Sequence, residues 1–100
     1  MEDIFGNKHP LFALGGIVAT PGGLATMRKT SGSIAPAMQM LARHAAGDWG
    51  EVDAEDKAAN DAAVKDGTRI LSAYTHAGVR YWIITEWDRS VTTLLLPSEY

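Results

Sequence analysis

Three runs rich in β-branched and aromatic residues fill the last third of the chain, split by two short turn signals. They are Thr68-Arg-Ile-Leu-Ser-Ala-Tyr-Thr-His76, Val79-Arg-Tyr-Trp-Ile-Ile-Thr-Glu-Trp87 and Val91-Thr-Thr-Leu-Leu-Leu-Pro97. Ala77-Gly78 and Asp88-Arg89-Ser90 separate them. This pattern predicts a three-stranded antiparallel meander. The middle run is apolar on both alternating faces, with Tyr81, Ile83 and Trp87 on one side and Trp82 and Ile84 on the other. A strand solvated on one face would alternate more cleanly, so this run is expected at the centre of a sheet, covered on both sides.

Upstream, Gly15 to Thr20 reads as a short strand that joins an edge of the meander. Thr20-Pro21 opens a helix, with Thr20 as N-cap and Pro21 at the first helical position. Ser31-Gly32-Ser33 stops it. Ser33 is expected to cap a second helix whose stripe is Met38, Leu41 and Ala45, with Met40 off the stripe. Gly47 ends that helix. Gly47-Asp-Trp-Gly50 is a turn from which Trp49 folds back into the core, its indole N–H seeking an acceptor. Asp53-Ala-Glu-Asp56 opens a third helix with acids in the first turn. Ala54, Ala58, Ala59, Ala62 and Ala63 give it a smooth face, and Gly67 ends it. The expected fold is α+β: an antiparallel sheet, made of the C-terminal meander and an N-terminal strand, with about three helices on one face. One hundred residues suit one domain spanning 1–100. Residues 1–12 are expected to form an arm anchored by Ile4, Phe5, Leu11 and Phe12.

Composition narrows the function classes. There is no cysteine, hence no disulfide and no thiolate metal site. No apolar run is long enough to span a bilayer, and the acidic start does not resemble a secretory leader. A cytoplasmic location without membrane attachment is the default expectation. The net charge is −3, unevenly placed. Asp48, Glu51, Asp53, Glu55, Asp56, Asp61 and Asp66 face only Lys57 and Lys65 within their window, and the rest of the chain is net positive. No basic stripe is present, so direct binding to nucleic acid is not expected. The acidic block is either a solvated helix face or a surface that meets a basic partner.

The candidate chemistry is sparse. His9, His44 and His76 lie far apart and show no metal-ligand spacing, and no cofactor is implied. The glycine pairs at 15–16 and 22–23 match neither the dinucleotide fingerprint nor the Walker pattern. An enzymatic reading draws on Arg43, His44, Arg69, Tyr74, His76 and the Thr92-Thr93 pair. A metal-independent ribonuclease needs a general base and acid, a cation for the phosphorane and a hydroxyl near phosphate. A helix bearing His44, followed by a meander whose last strand carries Thr93, resembles the barnase/EndoU/colicin/RelE-like layout. In that alternative His44, Arg69 and Thr93 are the catalytic candidates. Asp88-Arg89-Ser90 is expected to be a turn, with Arg89 solvated or paired with an acid.

Most of the chain resembles one family of short proteins on plasmids, phages and integrative elements. The resemblance rests on Gly-Gly-Ile-Val-Ala-Thr-Pro-Gly at 15–22, Leu-Ala-Arg-His-Ala-Ala-Gly-Asp-Trp-Gly at 41–50, and the run from Trp82 to Tyr100. These proteins are often labelled "type I restriction endonuclease subunit M" or "plasmid-related protein". The chain has no Asn-Pro-Pro-Tyr motif and no Gly-rich cofactor loop, and it is too short for a methyltransferase domain. What the resemblance implies is therefore a mobile-element setting, without catalytic residues. That setting suggests a non-enzymatic counter-defence inhibitor, of anti-CRISPR or anti-restriction type. Its expected partner is a protein within a nucleic-acid-handling defence complex. The surface expected to meet it is Asp48, Glu51, Asp53, Glu55, Asp56 and Asp61. A third reading is a homodimer with Trp82 and Trp87 at its two-fold interface.

Overall fold

The computed structural model describes residues 10–100. Strand β1 (Gly16–Ala19) is followed by helices α1 (Pro21–Ser31), α2 (Ala35–Ala45) and α3 (Ala54–Asp66). The meander β2 (Ile70–His76), β3 (Val79–Thr85) and β4 (Val91–Leu95) comes next, then a 3-10 turn (Pro97–Glu99). The sheet order is β1-β4-β3-β2. The meander is antiparallel, and β1 joins β4 in parallel. The fold is α+β: a mixed four-stranded sheet with three helices packed on one face. The arm expected at 1–12 falls mostly outside the described residues. Within them, Leu11 N–H donates to Ala45 O at 2.8 Å and Phe12 is buried.

Local signals account for the element ends. Thr20 Oγ1 accepts from Gly23 N–H at the start of α1, and Asp53 does the same for Asp56 N–H in α3. Gly32 and Gly67 close α1 and α3 in the left-handed conformation. The hairpin between β2 and β3 turns through Ala77 and Gly78 at φ 52° and 75°, as a two-residue primed turn requires. Ser33 does not cap α2 as expected. Ile34 holds that position without a side-chain bond, and Ser33 Oγ accepts from Ala35 N–H.

The register sorts side chains onto two faces. Ser72, Tyr74, Tyr81, Ile83, Thr85, Thr92 and Leu94 share the face beneath the helices. Met27, Met40 and Leu41 pack on Tyr74, Tyr81, Ile83 and Leu94. Phe12, Trp49, Ala63 and Ile70 form a second cluster. The buried line of α2 is Met40, Leu41, His44 and Ala45, and Met38 is exposed. Leu41 and Ala45 of the expected stripe are thus buried as read, while Met38 gives way to Met40 and His44. The true stripe contains a histidine, and an apolar pattern search passes over it. In α3 only Asn60 and Ala63 are buried. Ala58, Ala59 and Ala62 lie exposed, because α3 touches the sheet along one narrow line at β2 rather than across an alanine face.

The two sheet edges differ. On β2, Asn60 Nδ2 donates to Leu71 O at 2.8 Å, and Asn60 Oδ1 accepts from Leu71 N–H at 3.2 Å. One amide side chain thus stands in for a neighbouring strand. Further along, Glu51 N–H donates to Ala73 O at 2.7 Å and Ala73 N–H to Trp49 O at 3.1 Å. Gly50 forms the bridge to Ala73 at φ 72°, where an added Cβ would overlap Ala73 O and the Tyr74 ring. Only glycine fits there. On β1, at the other end of the sheet, every residue is exposed.

Candidate functional site

His44 sits at the C-terminal end of α2 and is fully buried. Its Nδ1 lies 2.6 Å from Ser72 Oγ and its Nε2 2.8 Å from Thr85 Oγ1. Thr85 Oγ1 is 2.7 Å from Thr92 Oγ1, and Thr92 Oγ1 donates to Leu14 O at 2.7 Å. The last bond fixes the direction of the two before it. A carbonyl only accepts, so the Thr92 proton is committed to Leu14 and Thr92 must accept from Thr85. Thr85 in turn accepts from Nε2–H, and in the neutral ring that burial favours Nδ1 accepts from Ser72. The imidazole is thus neutral, in one tautomer, with both nitrogens used. Burial pushes its pKa down to about 4, and the positive Arg89 adds to the effect. Phe12 and Trp49 pack edge-on against the ring.

The ribonuclease candidates are not brought together. Thr92, rather than Thr93, reaches the His44 line, because Thr92 pairs with Thr85 and shares its face. Thr93 pairs with Ile84 and points to the other side of the sheet. Arg69 lies there too, with its guanidinium 5.2 Å from the Tyr100 ring centroid and bonded to the Tyr100 hydroxyl. Arg43 is held by Asp48, and Tyr74 donates to Asp48 O. Burial raises the Tyr74 pKa to about 12. A sealed imidazole on one face and a cation on the other do not share a substrate.

The six acidic candidates divide in two. Asp48 accepts from Arg43 Nε at 2.7 Å and from Gly50 N–H, and the guanidinium beside it holds its carboxyl below the usual range. Glu51 accepts from Thr75 and lies 3.9 Å from Arg80. Asp53 caps α3. Asp61 accepts from the buried Trp49 indole at 2.9 Å, which answers the need that Trp49 raised. These four carboxylates are committed to the fold. Glu55 and Asp56 remain, side by side in the first turn of α3 and exposed.

Asp56 also lines a groove of about 390 Å3 between α3 and the sheet face that carries no helix. Ala59 and Asn60 complete its α3 wall, Leu71 and Trp82 form the floor, and Arg69 and Tyr100 close the far side. Trp82 and Tyr100 meet edge-to-face, with centroids 5.5 Å apart. The C-terminal segment that places Tyr100 is itself tied down. Glu99 accepts from Thr20 Oγ1 at 2.6 Å, from Leu96 N–H, and from Gly22 N–H at the start of α1. A carboxylate of the chain itself therefore fills that glycine-rich helix N-terminus. The thiol-free described residues hold no group of three or more metal-ligating side chains, and no described helix is long and apolar enough to cross a membrane.

Two features escaped the sequence reading. Arg89 is half-buried and pairs with backbone carbonyls rather than with an acid. It donates to Thr68 O at 2.6 Å, Ala63 O at 2.7 Å and Glu86 O, and lies over the Phe12 ring. It therefore caps the end of α3 from the β3–β4 turn, where it adopts φ 60°. Trp87 was expected on the β3 face but lies beyond the strand in that turn, 67% exposed. The Trp82–Tyr100 pair is the other omission, since residues 18 positions apart give no local signal. No protein-family model, curated protein or solved structure matches the chain.

Proposed function

We propose that this protein is a non-catalytic interaction module whose working surface is the groove between α3 and the helix-free sheet face. The groove's make-up carries this reading: an aromatic and aliphatic floor beside exposed Asp56 and Glu55. Such a surface suits a protein segment that presents an apolar or aromatic side chain to Leu71, Trp82 and Tyr100. A lysine or arginine of the same segment would face the first turn of α3. Aromatic anchors next to a charged rim are where binding energy concentrates. The wider reading is a mobile-element inhibitor of a defence complex, of anti-restriction or anti-CRISPR type. There a basic surface that handles nucleic acid would be occupied by this acidic one.

The sealed His44 line favours this reading over the ribonuclease alternative, because no substrate atom reaches either ring nitrogen. The test adds purified protein to type I restriction complexes and to CRISPR nuclease complexes cleaving plasmid DNA. Inhibition that weakens in a Glu55→Lys/Asp56→Lys double variant supports the proposal. The other four acids are left alone because their loss would damage the fold. Absence of both inhibition and a co-migrating complex, or RNA cleavage by the protein in EDTA, would overturn it.

A further inference from the structure

The unguarded edge of the sheet carries a second inference, independent of the groove. In the parallel ladder with β4, Gly16 N–H donates to Ser90 O at 3.0 Å and Thr20 N–H to Leu94 O at 2.9 Å. Alternation gives Val18 the same inward orientation. Ile17 and Ala19 therefore direct their N–H and C=O groups away from the sheet. Among the described residues nothing pairs with them. Exposed edges are normally blunted by charge, proline, a bulge or a covering element. The β2 edge follows that rule, with Asn60 and the Trp49–Glu51 segment closing it. Among the described residues the β1 edge has none of these devices, and only its shortness, four residues, limits it. No charged residue occurs from Leu11 to Met27, and Ile17 and Val18 are 55% and 49% exposed.

We propose that β1 pairs antiparallel with β1 of a second copy, about a two-fold axis beside Val18, to join two sheets into one of eight strands. The pattern of free groups is self-complementary for a second copy and fixes the register. An antiparallel hydrogen-bonded pair exchanges two bonds. Setting Ile17 opposite Ala19 of the second copy, and the reverse, satisfies all four outward groups of each edge. Val18 then faces its own copy across the axis as a non-hydrogen-bonded pair. Centring on Ile17 instead would require Gly15 to continue the strand, and Gly15 turns away at φ 65°. The closed two-fold arrangement also forbids run-on polymerisation. Like-charge repulsion is small, because the acidic block lies at the β2 end, three strands or about 14 Å from this edge. Val18 shares the face of Thr93 and Ile84, so pairing also makes the two helix-free faces continuous. A four-residue edge is small. The expected Kd is on the order of 10 μM, as for transient interfaces.

Sedimentation of the full chain across low- to high-micromolar concentrations should show the mass rising from 10.7 kDa towards twice that value. Val18→Lys places like charges opposite each other on the axis and should stay monomeric with an unchanged far-UV circular dichroism spectrum. The chain has no cysteine, so single-cysteine variants report the register. Oxidised Val18→Cys should cross-link to itself, whereas Ile17→Cys should not, since that residue faces position 19 of its partner. A full chain that stays monomeric throughout would overturn the proposal. Dimerisation of Val18→Lys at wild-type strength, or faster cross-linking of Ile17→Cys than of Val18→Cys, would overturn it equally.

Discussion

Polar side chains border both faces of the sheet and are used in opposite ways. Under the helices, Ser72, His44, Thr85 and Thr92 spend their donors on one another and on Leu14, and both ring nitrogens are used. On the other face, Arg69, Asp56 and the Tyr100 ring border an open groove. A histidine beside hydroxyls looks like chemistry in a list of residues. In three dimensions its burial and full satisfaction make it part of the scaffold. The groove residues look unremarkable in sequence, yet they border open space.

The strongest way to break this contrast is to delete the sealed imidazole. His44→Ala leaves a cavity and orphans Ser72 and Thr85, and should cost about 4 kcal/mol in urea unfolding. A cost under about 1 kcal/mol would mean that the line is not tightly packed. The next test is pH. The His44 pKa is about 4 in the folded protein and near 6.5 when unfolded. Between those values the unfolded chain binds the additional proton, so stability falls as pH falls from 6.5 to 4. The loss levels off below 4, at about 3 kcal/mol. The carboxylates with lowered pKa, Asp48, Asp88 and Glu99, act below their ordinary range near 4, so the two windows separate. In His44→Gln the slope between pH 6.5 and 4 should disappear while the acid limb remains.

Arg89→Met comes next in size. It keeps cover over Phe12 but leaves the carbonyls of Ala63 and Thr68 to water, and should cost about 2 kcal/mol. Slower helix C-terminal exchange in the wild type than in the variant, read by amide hydrogen exchange around Ala63, would locate the effect. The smallest expected change in stability is on the helix-free face. Tyr100→Ala removes an exposed ring and should shift unfolding by only about 0.5 kcal/mol, while weakening partner binding. A large loss of stability in that variant would make Tyr100 a core residue and erase the contrast between faces.

Much of the fold was legible because local signals act locally. Thr20, Asp53, Gly32, Gly67 and Ala77-Gly78 each set a backbone conformation within a few residues, and the central place of β3 followed from its two apolar faces. Register was not legible. Whether Thr92 or Thr93 meets His44 depends on a one-residue choice between faces, and only the pairing of Thr85 with Thr92 decides it. The roles of the acids were hidden for a related reason. Asp53 could be read as a cap, but Asp61 and Glu51 are defined by Trp49 and Thr75, which lie 12 and 24 positions away. Arg89 looked like a turn residue because its three carbonyl partners belong to backbone, which sequence patterns do not index.

The central claim is that the groove works and the imidazole supports. Dose–response curves against the type I restriction and CRISPR nuclease complexes test it most directly, comparing wild type, Glu55→Lys/Asp56→Lys and His44→Gln at equal folded concentration. The account predicts a shift of about tenfold or more, roughly 1.4 kcal/mol, for the charge-reversed variant. His44→Gln should stay within about twofold of wild type, since it touches no partner. A tenfold loss in His44→Gln with the charge-reversed variant unaffected would contradict it.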